Sequence, residues 1–390
     1  MSSDRIAVKI ADNIVSPLGF TTAENLAAVK ASSSVLQRYD QWKGVPEPFV
    51  ASMFQPEQIE AAYAKIGNSK PLTRFEKLAL LSIRNALAKT DVDVTSSRTL
   101  LILSTTKGNV DLLRQQQDGV SVERVSLPFA AKAIAQQLGM PNEPLVVSNA
   151  CISGACAQIT AARLIAAGCY DDVVVCGADE LSPFIISGFQ SLKALTDQPC
   201  RPFDEDRTGI NLGEAAATII YREKQKATKK DAKGWTLVAG AIRNDAFHIS
   251  GPSKTADGCY QALQSVIQNV RTDDIALINA HGTATFFNDE MESVAIHRAG
   301  LDSVPVNSLK GYFGHTMGAA GVLETIITAA ALDEQLIIGT RGFQTLGTSR
   351  QINVIAQHQP TDKQSFVKLI SGFGGCNAAM LFINHSSCAQ

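Results

Sequence analysis

An α/β architecture with a parallel sheet is what the sequence predicts, on three observations. Short β-branched runs alternate with Ala-rich stretches along the 390 residues. The runs are continuously apolar instead of strictly alternating, as strands covered on both faces are. One strand–helix–strand unit is also explicit: PLVVSNA (144–150), SGACAQITAARLIAAG (153–168) and DDVVVCGADE (171–180). Such a connection joins parallel strands.

The elements follow in order. RIAVKIADNIV opens the chain as a strand, and TLLILSTT (99–106) is the next clear one. In 153–168 the small residues let a helix pack closely, and Gly168 suits its left-handed C-terminal cap. AATIIYRE (216–223), DDIALINA (273–280), VPVNSL (304–309) and FVKLISGFG (366–374) read as further strands. MGAAGVLETIITAAALDEQL (317–336) reads as a buried Ala-rich helix, with LIIGT after it. The second group repeats the plan of the first, so two packed halves are expected, 1–234 and 235–390. They divide at REKQKATKKDAKG (222–234), read as a solvated loop. A chain of this length buries a large core without metal or disulfide staples.

Composition removes several function classes. Lys plus Arg is 35 against 37 Asp plus Glu, a net charge of -2, which leaves no basic footprint for nucleic acid. No apolar run is long enough for a membrane span. The N-terminus lacks the basic and apolar regions of a signal peptide, so a cytoplasmic protein is expected. The eight cysteines run from Cys151 to Cys388 without a CxxC pair, and the six histidines include no HExxH; no metal site is expected. In a reducing compartment a cysteine is core filler or a nucleophile.

Four segments concentrate reactive groups. In SNACISGACA, Cys151 stands between a strand and a helix, whose N-terminal amides favour thiolate. In INAHGTATFFNDEMES, His281 follows a strand directly, and Thr283 and Thr285 offer hydroxyls; Asp289 and Glu292 read as helix-capping residues. In NSLKGYFGHTMGAAGVLE, Lys310 and His315 follow a strand among glycines, and Glu324 on the helix needs a buried partner, for which Lys310 is the candidate. SGFGGCNAA lacks the GxGxxG spacing; its glycines around Phe373 suit the presentation of backbone N–H groups.

Taken together, NACISGACA, NAHGTAT, SLKGYFGHTMGAAG and SGFGGCN resemble the β-ketoacyl synthase family of elongating condensing enzymes. RPFDEDRTGINLGEAAA (201–217), FHISGP (247–252) and the opening IVSPLG look like family segments too. The resemblance implies a duplicated thiolase-like fold of five layers, α-β-α-β-α, with mixed sheets. It implies acyl transfer to Cys151 from a thioester, then decarboxylative condensation with malonyl on acyl carrier protein. By the same resemblance Cys151, His281, His315 and Lys310 are catalytic, with Glu324 supporting Lys310. The backbone N–H groups of Cys151 and Phe373 form the oxyanion hole. Phe373 is also a gate, and Thr283 and Thr285 bind the phosphopantetheine arm. No cofactor is implied beyond that arm. The implied partners are acyl carrier protein and a second subunit, identical or a related ketosynthase.

Relatives in the thiolase superfamily fit less well. A thiolase proper uses a cysteine in a C-terminal CxG loop, where this chain has GFGGCN, and the initiating synthases use one histidine and an asparagine. A non-catalytic, chain-length-determining subunit is the alternative, but such subunits lose the nucleophile. STTKGNVDLLRQQQ (104–117) departs from the family's glycine-rich stretch near the dimer interface and the deep end of the acyl pocket, as Ile152 and Ser153 depart from the residues common after the nucleophile. Both fatty acid elongation and a specialised polyketide or polyene pathway therefore stay open. Cys156, Cys169 and Cys176 are expected in core packing; Cys376 neighbours the oxyanion loop; Cys200, Cys259 and Cys388 have no role.

Overall fold

A computed structural model describes residues 5–66, 71–225 and 234–385. Cys388 and residues 226–233 of the expected dividing loop lie outside these. The ten strands of the main sheet are β1 (Arg5–Val15), β2 (Thr99–Ser104), β3 (Leu145–Val147), β4 (Asp172–Asp179), β5 (Ala215–Gln225), β6 (Trp235–Asn244), β7 (Leu277–Asn279), β8 (Val306–Asn307), β9 (Ser365–Gly372) and β10 (Cys376–Asn384). Their spatial order is β8-β7-β9-β10-β6-β1-β5-β4-β2-β3.

That order is one pattern written twice. Each set of five runs third, second, fourth, fifth, first. In each the second strand is parallel to its two neighbours, and the fifth is antiparallel to the fourth and the first. The two sets meet at the pair Val8–Thr236 between β1 and β6.

Helices fill three layers around the two sets. The longest are α1 (Arg74–Leu87), α2 (Leu127–Leu138), α3 (Ser153–Ala166), α4 (Asp257–Ile267), α5 (Phe286–Arg298) and α6 (Ala320–Asp333). Helices α3 and α6 pack on each other and on strands of both sets, α1 and α2 cover the outer face of the first, and α4, with α5 beside it, covers that of the second. The result is the expected α-β-α-β-α stack. Along β2, Leu100 and Ile102 enter the central core while Leu101 and Leu103 enter the outer one. Both faces are dry, which is why the strand reads as an unbroken apolar run.

The central helices cross where each has a glycine. A Cβ on Gly154 would fall 2.9 Å from the Gly318 carbonyl oxygen, and one on Gly321 would fall 2.6 Å from the Ala155 nitrogen. This crossing brings the start of α3, and with it Cys151, against the second half. Gly168 has φ +72° past the end of α3, as expected of its cap.

Some boundaries differ from expectation. The strand expected over 273–280 is confined to β7, and that over 304–309 to β8. The helix expected over 317–336 begins with a 3-10 turn at Met317–Ala319 and ends at Asp333, just before Gln335 adopts φ +57°. Cys156 and Cys176 are buried as expected, but Cys169 is exposed, because it falls just after the turn that ends α3.

Candidate active site

The carboxyl ends of β3, β7, β8 and β9 point reactive residues at one place. Cys151 sits between β3 and α3, 6% exposed. The turn is sharp: Ala150 has φ +45°. Ser153 braces it, its hydroxyl donating to the Ala150 carbonyl at 2.6 Å and accepting from the Asn149 amide at 2.8 Å. The helix terminus favours thiolate, but burial, with Cys376 nearby, pushes the Cys151 thiol up to about 12, against a smaller pull from Lys310 and Lys107. Burial thus works against the thiolate that the helix terminus was expected to favour.

His281 follows β7, and its loop is held by carboxylates. Glu292 accepts the His281 and Gly282 amides, both at 2.7 Å. Asp289 accepts the Thr283 amide at 2.8 Å and the Ala284 amide at 3.1 Å. The capping expectation for these two acids is corrected: α5 starts at Phe286, so they lie inside it, fully buried, and clamp the loop before it. Burial and the adjacent Asp289 push Glu292 up to about 7 against the pull of the two amides. Thr283 and Thr285 face one another, hydroxyl to hydroxyl, at 2.7 Å.

His315 is placed by the first half of the chain. Its amide donates to the Asn211 carbonyl at 2.7 Å, and its carbonyl accepts the Gly213 amide at 3.0 Å. A Cβ on Gly213 would fall 2.0 Å from the Phe313 oxygen, so this backbone contact requires glycine. The imidazoles of His281 and His315 lie edge to face, centroids 5.0 Å apart. Among the described residues nothing hydrogen-bonds Nδ1 of His281 or either ring nitrogen of His315. Burial foremost, then the positive charge of Lys310, holds both well below the ordinary histidine range. Each is therefore a neutral ring with one donor and one acceptor nitrogen. The Cys151 sulfur and one nitrogen from each ring lie within 4.8 Å of one another. Three such atoms also have the reach to surround a metal ion, but the lysines behind the rings oppose a cation there.

Those lysines are two, where one was expected. Lys310 donates to Glu324 Oε1 at 2.7 Å, and Lys368 donates to Glu324 Oε2 at 2.5 Å; both lysines are fully buried. Burial opposes ionisation of Glu324, yet the two ammonium groups hold its carboxyl below the usual range. Lys368 was missed as a site residue, although a charge amid the apolar run FVKLI was its signal. Asp179 was missed too. It ends β4, accepts from Thr105, Thr106 and, at 2.7 Å, the Gly318 amide, and so ties the β2 loop to the start of the α6 segment.

Phe373 lies on the turn between β9 and β10, half-buried, its ring centroid 5.7 Å from that of Phe189. Gly372 meets the nucleophile's backbone: a Cβ there would fall 3.1 Å from the Cys151 nitrogen. Cys376 follows, its sulfur 3.4 Å from the Phe373 carbonyl. A separate cavity of about 700 Å³ is lined by Asn109, Leu112 and Gln115 with Arg74, Glu180 and Glu214. The departing 104–117 segment thus forms one of its walls; Cys151 and the histidines do not line it.

Comparison with known proteins identifies the family of the chain. Residues 17–227 match the family model "Beta-ketoacyl synthase, N-terminal domain", and residues 236–344 match "Beta-ketoacyl synthase, C-terminal domain". The chain is 34% identical over 275 residues to 3-oxoacyl-[acyl-carrier-protein] synthase 2 of Rhizobium meliloti (strain 1021), a match covering 66% of this chain and 64% of the relative. It is 26% identical over 413 residues to a putative mitochondrial 3-oxoacyl-[acyl-carrier-protein] synthase of Schizosaccharomyces pombe (strain 972), covering 94% and 96%. The fold superposes on a crystal structure of a β-ketoacyl synthase from Burkholderia phymatum STM815 with TM-score 0.85 at 24% identity, covering 97% and 99%. It superposes on a ketosynthase in complex with its chain length factor from Xenorhabdus doucetiae with TM-score 0.83 at 23% identity, covering 97% and 98%. With both family domains matched in order along the chain, it belongs to the β-ketoacyl synthase family.

Proposed function

We propose that the chain is a 3-oxoacyl-[acyl carrier protein] synthase, an acyltransferase that extends an acyl chain held on Cys151 by decarboxylative condensation with malonyl carrier protein. One observation supports this above the rest: the Cys151 sulfur and two neutral imidazoles converge within 4.8 Å in a buried site.

In the first step the Cys151 sulfur attacks the thioester carbonyl of acyl carrier protein. The bond to the phosphopantetheine sulfur breaks, and the Cys151 proton leaves with that thiol. Transfer between two sulfurs is nearly balanced in energy, which suits a cysteine nucleophile. The Cys151 and Phe373 amides receive the oxyanion, and Thr283 and Thr285 hold the pantetheine arm. In the second step the malonyl C–C bond breaks, carbon dioxide leaves, and the electron pair moves to the thioester oxygen as an enolate. His281 and His315 donate to that oxygen, each supplying about 3 kcal/mol. Finally the enolate carbon attacks the acyl–Cys151 carbonyl. The C–S bond breaks, and the Cys151 sulfur takes a proton from solvent. Lys310 and Glu324 fix the charge behind the histidines, and Phe373 gates the acyl pocket.

We read the protein as two halves, 1–234 and 235–390, on the repeated strand order. Its partners are acyl carrier protein and a second ketosynthase-fold subunit, identical or related. The exposed edge strand β3 supports a subunit contact, and no helix among the described residues is long and apolar enough to cross a membrane. The free thiols suit the cytoplasm. The pathway is fatty acid or polyketide elongation. Intact-mass measurement after adding acyl carrier thioester tests the reading: an acyl adduct is expected on the native chain and not on Cys151→Ala. No adduct from any acyl donor would assign the chain instead to the non-catalytic, chain-length-determining role.

A further inference from the structure

Lys368 has no part in the steps above, yet it is fully buried in the middle of β9. A methionine would fill the same strand position without the several kcal/mol that desolvating an ammonium costs. Its contacts are directed. The ammonium meets Glu324 at 2.5 Å, the Leu369 carbonyl at 3.1 Å, and the carbonyls of Asn279 and Ala280 at 3.3 and 3.4 Å. Asn279 and Ala280 are the two residues before His281. The His281 loop is therefore gripped at both poles of its peptides. With Glu324 and the Leu369 carbonyl taking two of its three N–H groups, Lys368 shares the third between the Asn279 and Ala280 carbonyls on one side, and Glu292 and Asp289 take the amides on the other. Two ammonium groups also share the one Glu324 carboxylate, so positive charge lies close behind the imidazoles.

We propose that Lys368 is a positioning residue for malonyl decarboxylation: it fixes the His281 loop through the Asn279 and Ala280 carbonyls, and with Lys310 and Glu324 it sets a positive potential where the enolate charge develops. This rests on the reading of the preceding section. Acyl transfer does not draw on it, because that oxyanion forms at the Cys151 and Phe373 amides. The titratable groups facing Lys368 are Glu324 on α6, Lys310, Glu292 on α5, and the neutral rings of His281 and His315. Against the pull of Glu324, burial brings the ammonium down to about 8.

The test compares Lys368→Met and Lys368→Arg with the native protein in two single-turnover reactions, acylation of Cys151 and decarboxylation of malonyl carrier protein. Lys368→Met is expected to acylate at the native rate but to decarboxylate about tenfold to a hundredfold more slowly, the range that small misplacements of a reacting group produce. The loss should lie in kcat with KM unchanged, and Lys368→Arg should restore part of it. Decarboxylation at the native rate in folded Lys368→Met, or equal losses in both reactions, would overturn the proposal. Should the variants not fold, the native protein decides: its decarboxylation rate should fall as pH rises through about 8 while acylation does not, and a flat decarboxylation profile refutes the role. A native protein that neither acylates nor decarboxylates would instead refute the preceding section. In that case the histidine ring shifts, followed by NMR across pH 7 to 9, should still move with Lys368 deprotonation, and a static spectrum sinks the electrostatic claim by itself.

Discussion

Replacing His315 with alanine separates the two chemical steps. In the resting site neither ring nitrogen of His315 has a hydrogen-bond partner among the described residues. Removing the ring therefore breaks no hydrogen bond to a described residue, and the loss appears where the enolate forms. One donor to a developing oxyanion supplies about 3 kcal/mol, close to a hundredfold in rate at about 1.36 kcal/mol per decade. Acyl transfer should survive, because the Cys151 proton leaves with the departing thiol and the oxyanion forms at backbone amides. The assay is paired: intact mass for the acyl adduct, and carbon dioxide release from malonyl carrier protein. Expected are full adduct formation and a decarboxylation rate down by about two decades, with His281→Ala behaving alike. Loss of the adduct in either variant would show that the histidines activate the thiol, and the assignment of roles would fall. A decarboxylation loss under about tenfold in both would remove the enolate role altogether.

Further outcomes follow from the same geometry. Glu292→Gln leaves one of the two amides it accepts without a partner, since a carboxamide has one acceptor atom; chemical denaturation should show a loss of about 1–3 kcal/mol, and an unchanged midpoint would mean the clamp is dispensable. Gly213→Ala places a methyl against the Phe313 carbonyl, so His315 is displaced; decarboxylation should drop well below acylation, and native rates in both would show that the two backbones separate freely. Both active-site histidines are held below the ordinary range, so they bind protons only well under pH 6.5. For each of them the unfolded chain binds the proton first as pH falls, so their contribution favours folding above pH 6.5 and is lost progressively below it. Their NMR ring resonances should show no step to the imidazolium position from pH 8 through 6, beyond the smaller drift caused by Lys368, and titration of both near 6.5 would contradict the buried neutral pair.

Much of this was legible in the sequence because the reactive residues stand directly after strands. Cys151 and His281 each follow a run of β-branched residues, and His315 stands among glycines that permit close approach. Pairing Lys310 with Glu324 followed from the need to neutralise a carboxylate on an Ala-rich helix. The support of these residues was not legible. Asp289 and Glu292 resemble a capping pattern locally, and only the position of α5 relative to the loop shows their carboxylates turned back onto amides. Asn211, Gly213 and Asp179 act through backbone contacts to residues more than a hundred positions away. The desolvation of the Cys151 thiol also escaped, since a helix terminus is visible in sequence and burial is not. Lys368 was visible as a charge in an apolar strand, but its partners lie on α6 and β7, which chain order keeps far apart.

The central claim is that acyl–Cys151 is extended by carbon from malonyl carrier protein. It is tested most directly by isolating the acylated protein, mixing it with malonyl carrier protein in a single turnover, and weighing both chains. The account predicts loss of the acyl group from Cys151 together with a β-ketoacyl group on the carrier, in equal amounts. An acyl group that stays on Cys151, or leaves it unextended, would contradict it.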